Sequence, residues 1–110
     1  MAGRNVTEDA QIVVTDAPER KRFEVTVGGE LAGFLVYRSR EGLLALIHTE
    51  VEDRFEGHGL GGRLARFALD KARAEDLAVL PFCPFVNAWM KRHPEYVDLV
   101  PAAYRASFEL

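Results

Sequence analysis

Arg54-Phe55-Glu56-Gly57-His58-Gly59-Leu60-Gly61-Gly62-Arg63 is the stretch that decides the fold, and it holds four of the chain's nine glycines. An apolar run, Leu43 to Ile47, precedes it, and an amphipathic run, Leu60 to Ala74, follows. A strand that enters a glycine turn and leaves as a helix exposes unpaired backbone N–H groups at the helix start. The positive end of the helix dipole lies there too, so the turn suits an anion. Glycine lacks a Cβ and tolerates positive φ, which lets a phosphate approach the backbone. The expected ligand bears phosphate and lies across residues 54 to 62.

Three phosphate loops compete for this reading. A Walker loop needs lysine and a hydroxyl after its last glycine. Gly57 and Gly62 have the spacing, but Arg63 and Leu64 follow, and without the hydroxyl the magnesium ligand is lost. A dinucleotide turn is matched by Gly57, Gly59 and Gly62, but needs an acidic residue at the end of the next strand. That strand ends in Pro81-Phe82-Cys83-Pro84, while Glu75 and Asp76 stand at its start. The third pattern is Arg/Gln-x-x-Gly-x-Gly/Ala, and Arg54, Gly57 and Gly59 fit it.

Outward from the turn, the chain reads as one small domain spanning residues 1–110, with nearly half its residues apolar. The net charge is −3 with both signs interspersed, which makes no case for nucleic acid or an anionic membrane. No apolar run approaches the ~18 residues of a membrane span. The polar start, Met1 to Asn5, has no apolar signal segment, so a cytoplasmic location is expected. A single cysteine excludes an internal disulfide and a cysteine-based zinc site. No metal site is expected.

Residues 1 to 10 are polar and are expected to be loose. Gln11 to Val14 has β character, and Asp16 to Arg20 reads as a turn. Arg22 to Val27 alternates, with Phe23, Val25 and Val27 on one face. Gly28-Gly29 is a two-residue hairpin signal. Leu31 to Tyr37 is the return strand, with Gly33 a bulge or a close approach. Ser39 to Gly42 turns into a third strand, Leu43 to Val51. Short turns make these strands antiparallel. The helix after the glycines presents Leu60, Leu64, Phe67, Ala68 and Ala72 inward. Leu77 to Phe82 is a fourth main strand, parallel to the third. A short helix, Phe85 to Arg92, turns Phe85, Ala88 and Trp89 inward and stops before Pro94. The tail from Pro101 to Leu110 has no assignment. The fold class is α/β (α+β): a mixed, mostly antiparallel sheet with one crossover helix.

The third glycine pattern is the pyrophosphate signature of the GNAT acetyltransferase superfamily, which this sequence resembles. His48-Thr49-Glu50-Val51, Cys83-Pro84-Phe85 and His93-Pro94-Glu95-Tyr96 extend the likeness to the small single-domain GNAT-like N-acetyltransferases, over roughly Arg22 to Leu99. The resemblance implies a shortened GNAT-like fold, with the strands ending near Val51 and Phe82 splayed around a pantetheine arm. It implies acetyl-CoA as co-substrate and a small-molecule or protein amine as acceptor, with direct transfer in a ternary complex. A non-catalytic acyl-CoA binder is the rival.

Each role has candidates beside a plainer structural reading. The cofactor would be held by Val51, Phe55, Glu56, Gly57, Gly59, Leu60 and Gly61, with Arg54, His58 and Arg63 as charge partners. A backbone N–H near Glu50 or Val51 would polarise the carbonyl. His48, Glu50 and Glu52 alternate on one face as candidate bases, or are a solvated strand end. Larger superfamily members supply a tyrosine for the leaving thiolate on the helix after the fourth strand; this chain has none there. Tyr96 lies beyond Pro94. Cys83 is the other candidate, or a small buried core residue. Asn87 either binds the pantetheine amides or starts the helix. His93 reads as a helix end.

Overall fold

The computed structural model describes residues 11–110; the segment expected to be loose, residues 1 to 10, lies outside them. Strands β1 (Ile12–Ala17), β2 (Arg22–Val27), β3 (Glu30–Arg40), β4 (Leu43–Val51) and β5 (Ala78–Pro81) form one sheet in chain order. The first four pair antiparallel, and β5 runs parallel to β4. Helix α1 (Leu60–Ala74) links β4 to β5. Helix α2 (Pro84–Arg92) follows β5, and a short α3 (Ala102–Arg105) lies in the tail.

Alternation drives β2: Phe23, Val25 and Val27 are buried in the core cluster. α1 covers that face of the sheet, packing on β2, β3 and β4. Its buried side holds Leu60, Leu64, Ala65, Ala68, Leu69 and Ala72. Phe67 is half-buried at the margin of that side, its ring edge-on to Phe23 at 5.4 Å. Ala65 and Leu69 widen the buried stripe beyond the expected one, since α1 lies across the sheet and touches all five strands.

Several boundaries differ from expectation. β1 runs on to Ala17, because Asp16 and Ala17 pair with Phe23 and Arg22; the Tyr37 hydroxyl donates to Asp16 at 2.6 Å. The turn begins only at Pro18. β3 extends to Arg40, its last residues paired with the start of β4. β5 is shorter than Leu77 to Phe82. Phe82 N–H turns back to Leu80 O at 3.1 Å, Cys83 N–H takes Leu46 O in its place, and Pro84 opens a helix. In α2 the buried residues are Val86, Trp89 and Met90, whereas Phe85 and Ala88 are exposed. The Phe85 ring lies against Gly61 at the start of α1 rather than in the core.

Two irregularities set the site. On β3, Val25 faces Gly33 and Thr26 faces Leu31, so Ala32 is an extra residue. On β4, Val36 faces His48 and Tyr37 faces Leu46, so Ile47 is an extra residue. Such bulges bend a strand and reverse its side-chain parity. Leu44 and Leu46 are buried under α1. Beyond Ile47 the core-facing set becomes Thr49 and Val51, opposite Leu35 and Gly33, and His48 and Glu50 turn to the other face.

Candidate active site

β4 and β5 pair only from Leu43↔Ala78 to Leu46↔Pro81. Cys83 N–H closes the join by donating to Leu46 O at 2.8 Å. Past it the strands part, and the β5 edge of β4 is open as far as Val51. Glu52 N–H donates to Ala32 O on β3 at 2.8 Å. Alternate residues of an antiparallel strand point their N–H groups to opposite sides. The N–H groups of Val51 and Thr49 therefore point to the open edge. The strands splay as expected, at a bulge on one and at Phe82 on the other, whose N–H turns back to Leu80 O.

A cleft of about 400 Å³ continues from this opening to the glycine turn. Gly57 and Gly59 adopt φ +84° and +75°, and nothing lies within 4 Å of the position a Cβ would take at either. α1 starts without a side-chain cap and without an acidic residue in its first turn. Its first helical bond runs from Arg63 N–H to Gly59 O. Among the described residues, no backbone N–H from Gly57 to Gly62 donates a hydrogen bond. A row of free donors at the positive end of a 15-residue helix fits an oligophosphate. Gly61 has a second reason to be glycine: a Cβ there would stand 2.7 Å from the Phe85 ring.

The expected cofactor residues divide. Val51, Phe55, Glu56, Gly57, Gly59, Leu60 and Gly61 line the cleft. Arg54, His58, Asn87 and the exposed Arg63 do not. Arg54 lies on the far side of β4, donating to Glu30 at 3.1 Å and Glu52 at 3.4 Å. Glu30 first, then Glu52, hold its guanidinium above its ordinary pKa. His58 is exposed away from the cleft wall. Asn87 donates its amide to Phe108 O at 2.9 Å, because the tail that had no assignment folds back onto α2. Phe108 also meets Phe82 edge-on at 5.3 Å.

The candidates for proton transfer sit on two sides of β4. His48 Nε2 and Glu50 Oε2 are 3.1 Å apart on the exposed face. Glu52 follows them past the strand end and pairs with Arg54. Cys83 is buried at the fork between the strands, its Sγ 3.2 Å from Thr49 Oγ1. Tyr96 is committed elsewhere: its hydroxyl donates to Asp70 at 2.7 Å and accepts from Arg66 at 3.1 Å. Asp70 foremost, with burial, raises its pKa. His93 stacks on Trp89 with ring centroids 3.7 Å apart, at the end of α2.

Sequence reading placed Gly62 within the ligand's span but gave no site role to Thr49 or Phe85; all three line the cleft. Thr49 had a usable signal, since a residue between two candidate bases must face the opposite side. Among the described residues, no group of three or more metal-ligating side chains is assembled. No helix among them is long and apolar enough to cross a membrane.

Comparison with known proteins agrees with this geometry. A family model described as GCN5-related N-acetyl-transferase matches residues 22–99. Protein NATD1 of Mus musculus is 32% identical over 78 residues, covering 69% of this chain and 71% of its own length. Protein NATD1 of Homo sapiens is 32% identical over 77 residues, covering 68% of each chain.

Proposed function

The chain belongs to the GCN5-related N-acetyltransferase family, and from that premise we propose that it moves an acetyl group from acetyl-CoA directly to an amine within a ternary complex. The observation that carries the reading is the row of backbone N–H groups from Gly57 to Gly62 with no partner among the described residues. Those donors would hold the pyrophosphate, and the open edge of β4 would receive the pantetheine amides.

Acetyl-CoA supplies an activated thioester: in the transfer a C–N bond forms at its carbonyl carbon, the C–S bond breaks and the departing thiolate takes a proton. Val51 N–H, aimed at the open edge, is the donor for the carbonyl oxygen. Glu50, directly or through a water, takes the proton that frees the ammonium, with His48 at 3.1 Å orienting its carboxylate. Thr49 and Cys83, in contact at the fork, are the groups nearest the leaving sulfur's path. The burial of Cys83 supports direct transfer over an acetyl-cysteine intermediate. After incubation with acetyl-CoA, intact mass should show no hydroxylamine-labile acetyl adduct on Cys83; an adduct forming as fast as turnover would replace direct transfer with a covalent route.

CoA and acetyl-CoA should raise the melting temperature, by about 2.7 kcal/mol of stabilisation at a hundredfold excess over Kd, while NAD and ATP do far less. Thiol release from acetyl-CoA against pooled amines should follow. A shift with NAD and none with CoA would sink the reading. The absence of a tyrosine from α2 favours the second reading, a non-catalytic acyl-CoA binder. It would show the CoA shift and no amine-dependent thiol release.

A further inference from the structure

We propose that a groove on the far side of β4 is the acceptor site, and that it takes a primary alkylamine on an aliphatic stem with a second positive charge beyond it. This rests on the donor reading above, because its value lies in where it meets the donor cleft. The groove has a volume of about 470 Å³ and shares Val51 with that cleft. One residue separates the two cavities, so an amine entering one comes up against a thioester lying in the other.

The walls specify the amine. Leu31, which is 39% exposed, and Phe34 give the groove an apolar side. Such a surface accepts the methylenes of an alkylamine and leaves its charged ends in polar surroundings. Among the described residues, Glu50, Glu52 and Asp53 line the groove against one lining cation, Arg54, which Glu30 and Glu52 already occupy. The surplus of carboxylates attracts a polycation and repels an acceptor that carries its own carboxylate. Glu52 and Asp53 follow Glu50 by two and three residues, about 7–11 Å along an extended chain. A diamine spans that distance, one nitrogen at Glu50 and the other at the outer pair.

The groove is also held in shape. A Cβ on Gly33 would stand 2.6 Å from Glu50 O, so the backbone of β3 sits too close to that of β4 at Glu50 for any side chain there. The bond from Glu52 N–H to Ala32 O fixes the outer acidic pair to the β3 bulge.

Amide NMR on the full chain tests this, with CoA, spermidine, a capped peptide carrying two lysines, and glutamate as separate titrants. CoA should shift Gly57 and Gly59. Spermidine or the peptide should shift Leu31, Phe34, Glu52 and Asp53, and glutamate should shift none of them. Whichever amine responds identifies the source of the alkylamine, a free polyamine or a lysine side chain. The double variant E52Q/D53N should weaken the responding amine roughly tenfold, the scale of two lost exposed charge contacts, and leave CoA affinity unchanged. Shifts at the glycines with CoA, but none at residues 31–34 and 50–53 with either amine, would overturn the acceptor site and leave the donor reading standing. No glycine shift with CoA would overturn the donor reading, and this proposal with it.

Discussion

The two halves of β4, one apolar and one mostly polar, do opposite work. From Leu43 to Leu46 the strand is paired on both sides, and Leu44 and Leu46 are buried under α1. From His48 to Val51 it is paired only with β3, and its outer edge looks into the cleft. The difference comes from two residues. Ile47 adds a position and reverses parity, and at Phe82 the neighbouring strand leaves the ladder, its N–H turned back to Leu80 O. One strand thereby anchors the core and opens a backbone edge to a ligand.

The sharpest way to break the comparison is to delete Ile47. Without the extra residue, Thr49 and Val51 continue the alternation of Leu44 and Leu46, so the buried face is kept while the bend of β4 at the bulge is lost. The expected outcome is a protein that still melts cooperatively but binds CoA at least about tenfold more weakly, because the open edge is re-aimed. A deletion variant with the parent's CoA affinity would show that the two halves are not divided by the bulge.

A smaller perturbation acts on the second half alone. Gly33→Ala places a Cβ 2.6 Å from Glu50 O, so β3 and β4 must move apart at that point. The expected cost is about 1–3 kcal/mol, read from urea midpoints. Turnover per folded molecule should fall as well, because Glu50 and Val51 shift together. Unchanged stability would mean that the close contact has slack.

The same row of the sheet offers a second contrast. Glu24, Phe34 and Glu50 are cross-strand neighbours. Glu24 is nearly buried, taking 2.8 Å bonds from Arg20 and from Arg22. Arg20 foremost, and Arg22 in addition, pull its pKa down from 4.5 to about 2 against the opposing effect of burial. A folded-state pKa below the unfolded value gives stability that is full above the unfolded value and lost as pH falls through the folded one. Glu24→Gln should therefore cost about 2 kcal/mol at neutral pH. The gap to the parent should close between pH 4.5 and 2. Glu50→Gln should leave stability nearly unchanged and slow turnover by about 10²–10⁴-fold. Equal stability losses for the two variants would erase the distinction between a structural and a catalytic carboxylate.

Much of this was legible in the sequence where a local signal was complete. β2, β4 and α1 have the boundaries that alternation and helical spacing give them, at Arg22–Val27, Leu43–Val51 and Leu60–Ala74. The contact at Gly33 also had its signal, a lone glycine inside a strand. Partners across the chain were not legible. Arg54 carries the motif's charge, but Glu30, 24 residues away, takes its guanidinium to the other side of β4. Asn87 is claimed by Phe108, 21 residues later in a tail without a pattern. The bulge left only an indirect trace. Leu44, Leu46, His48 and Glu50 share one parity, and two of them are too polar for the face the other two occupy.

The central claim is that unpaired N–H groups at the start of α1 hold a pyrophosphate. Calorimetric titration with CoA and with pantetheine, which lacks the phosphates, tests it directly, in the parent and in Gly59→Val. A branched residue at φ +75° strains the turn and fills the space above the backbone. The account predicts that CoA binds the parent at least about a hundredfold more tightly than pantetheine, the scale of one or two charge-assisted hydrogen bonds. Gly59→Val should bring CoA down to the pantetheine level with the fold intact. Equal affinities of CoA and pantetheine for the parent, or an undiminished CoA affinity in folded Gly59→Val, would contradict it.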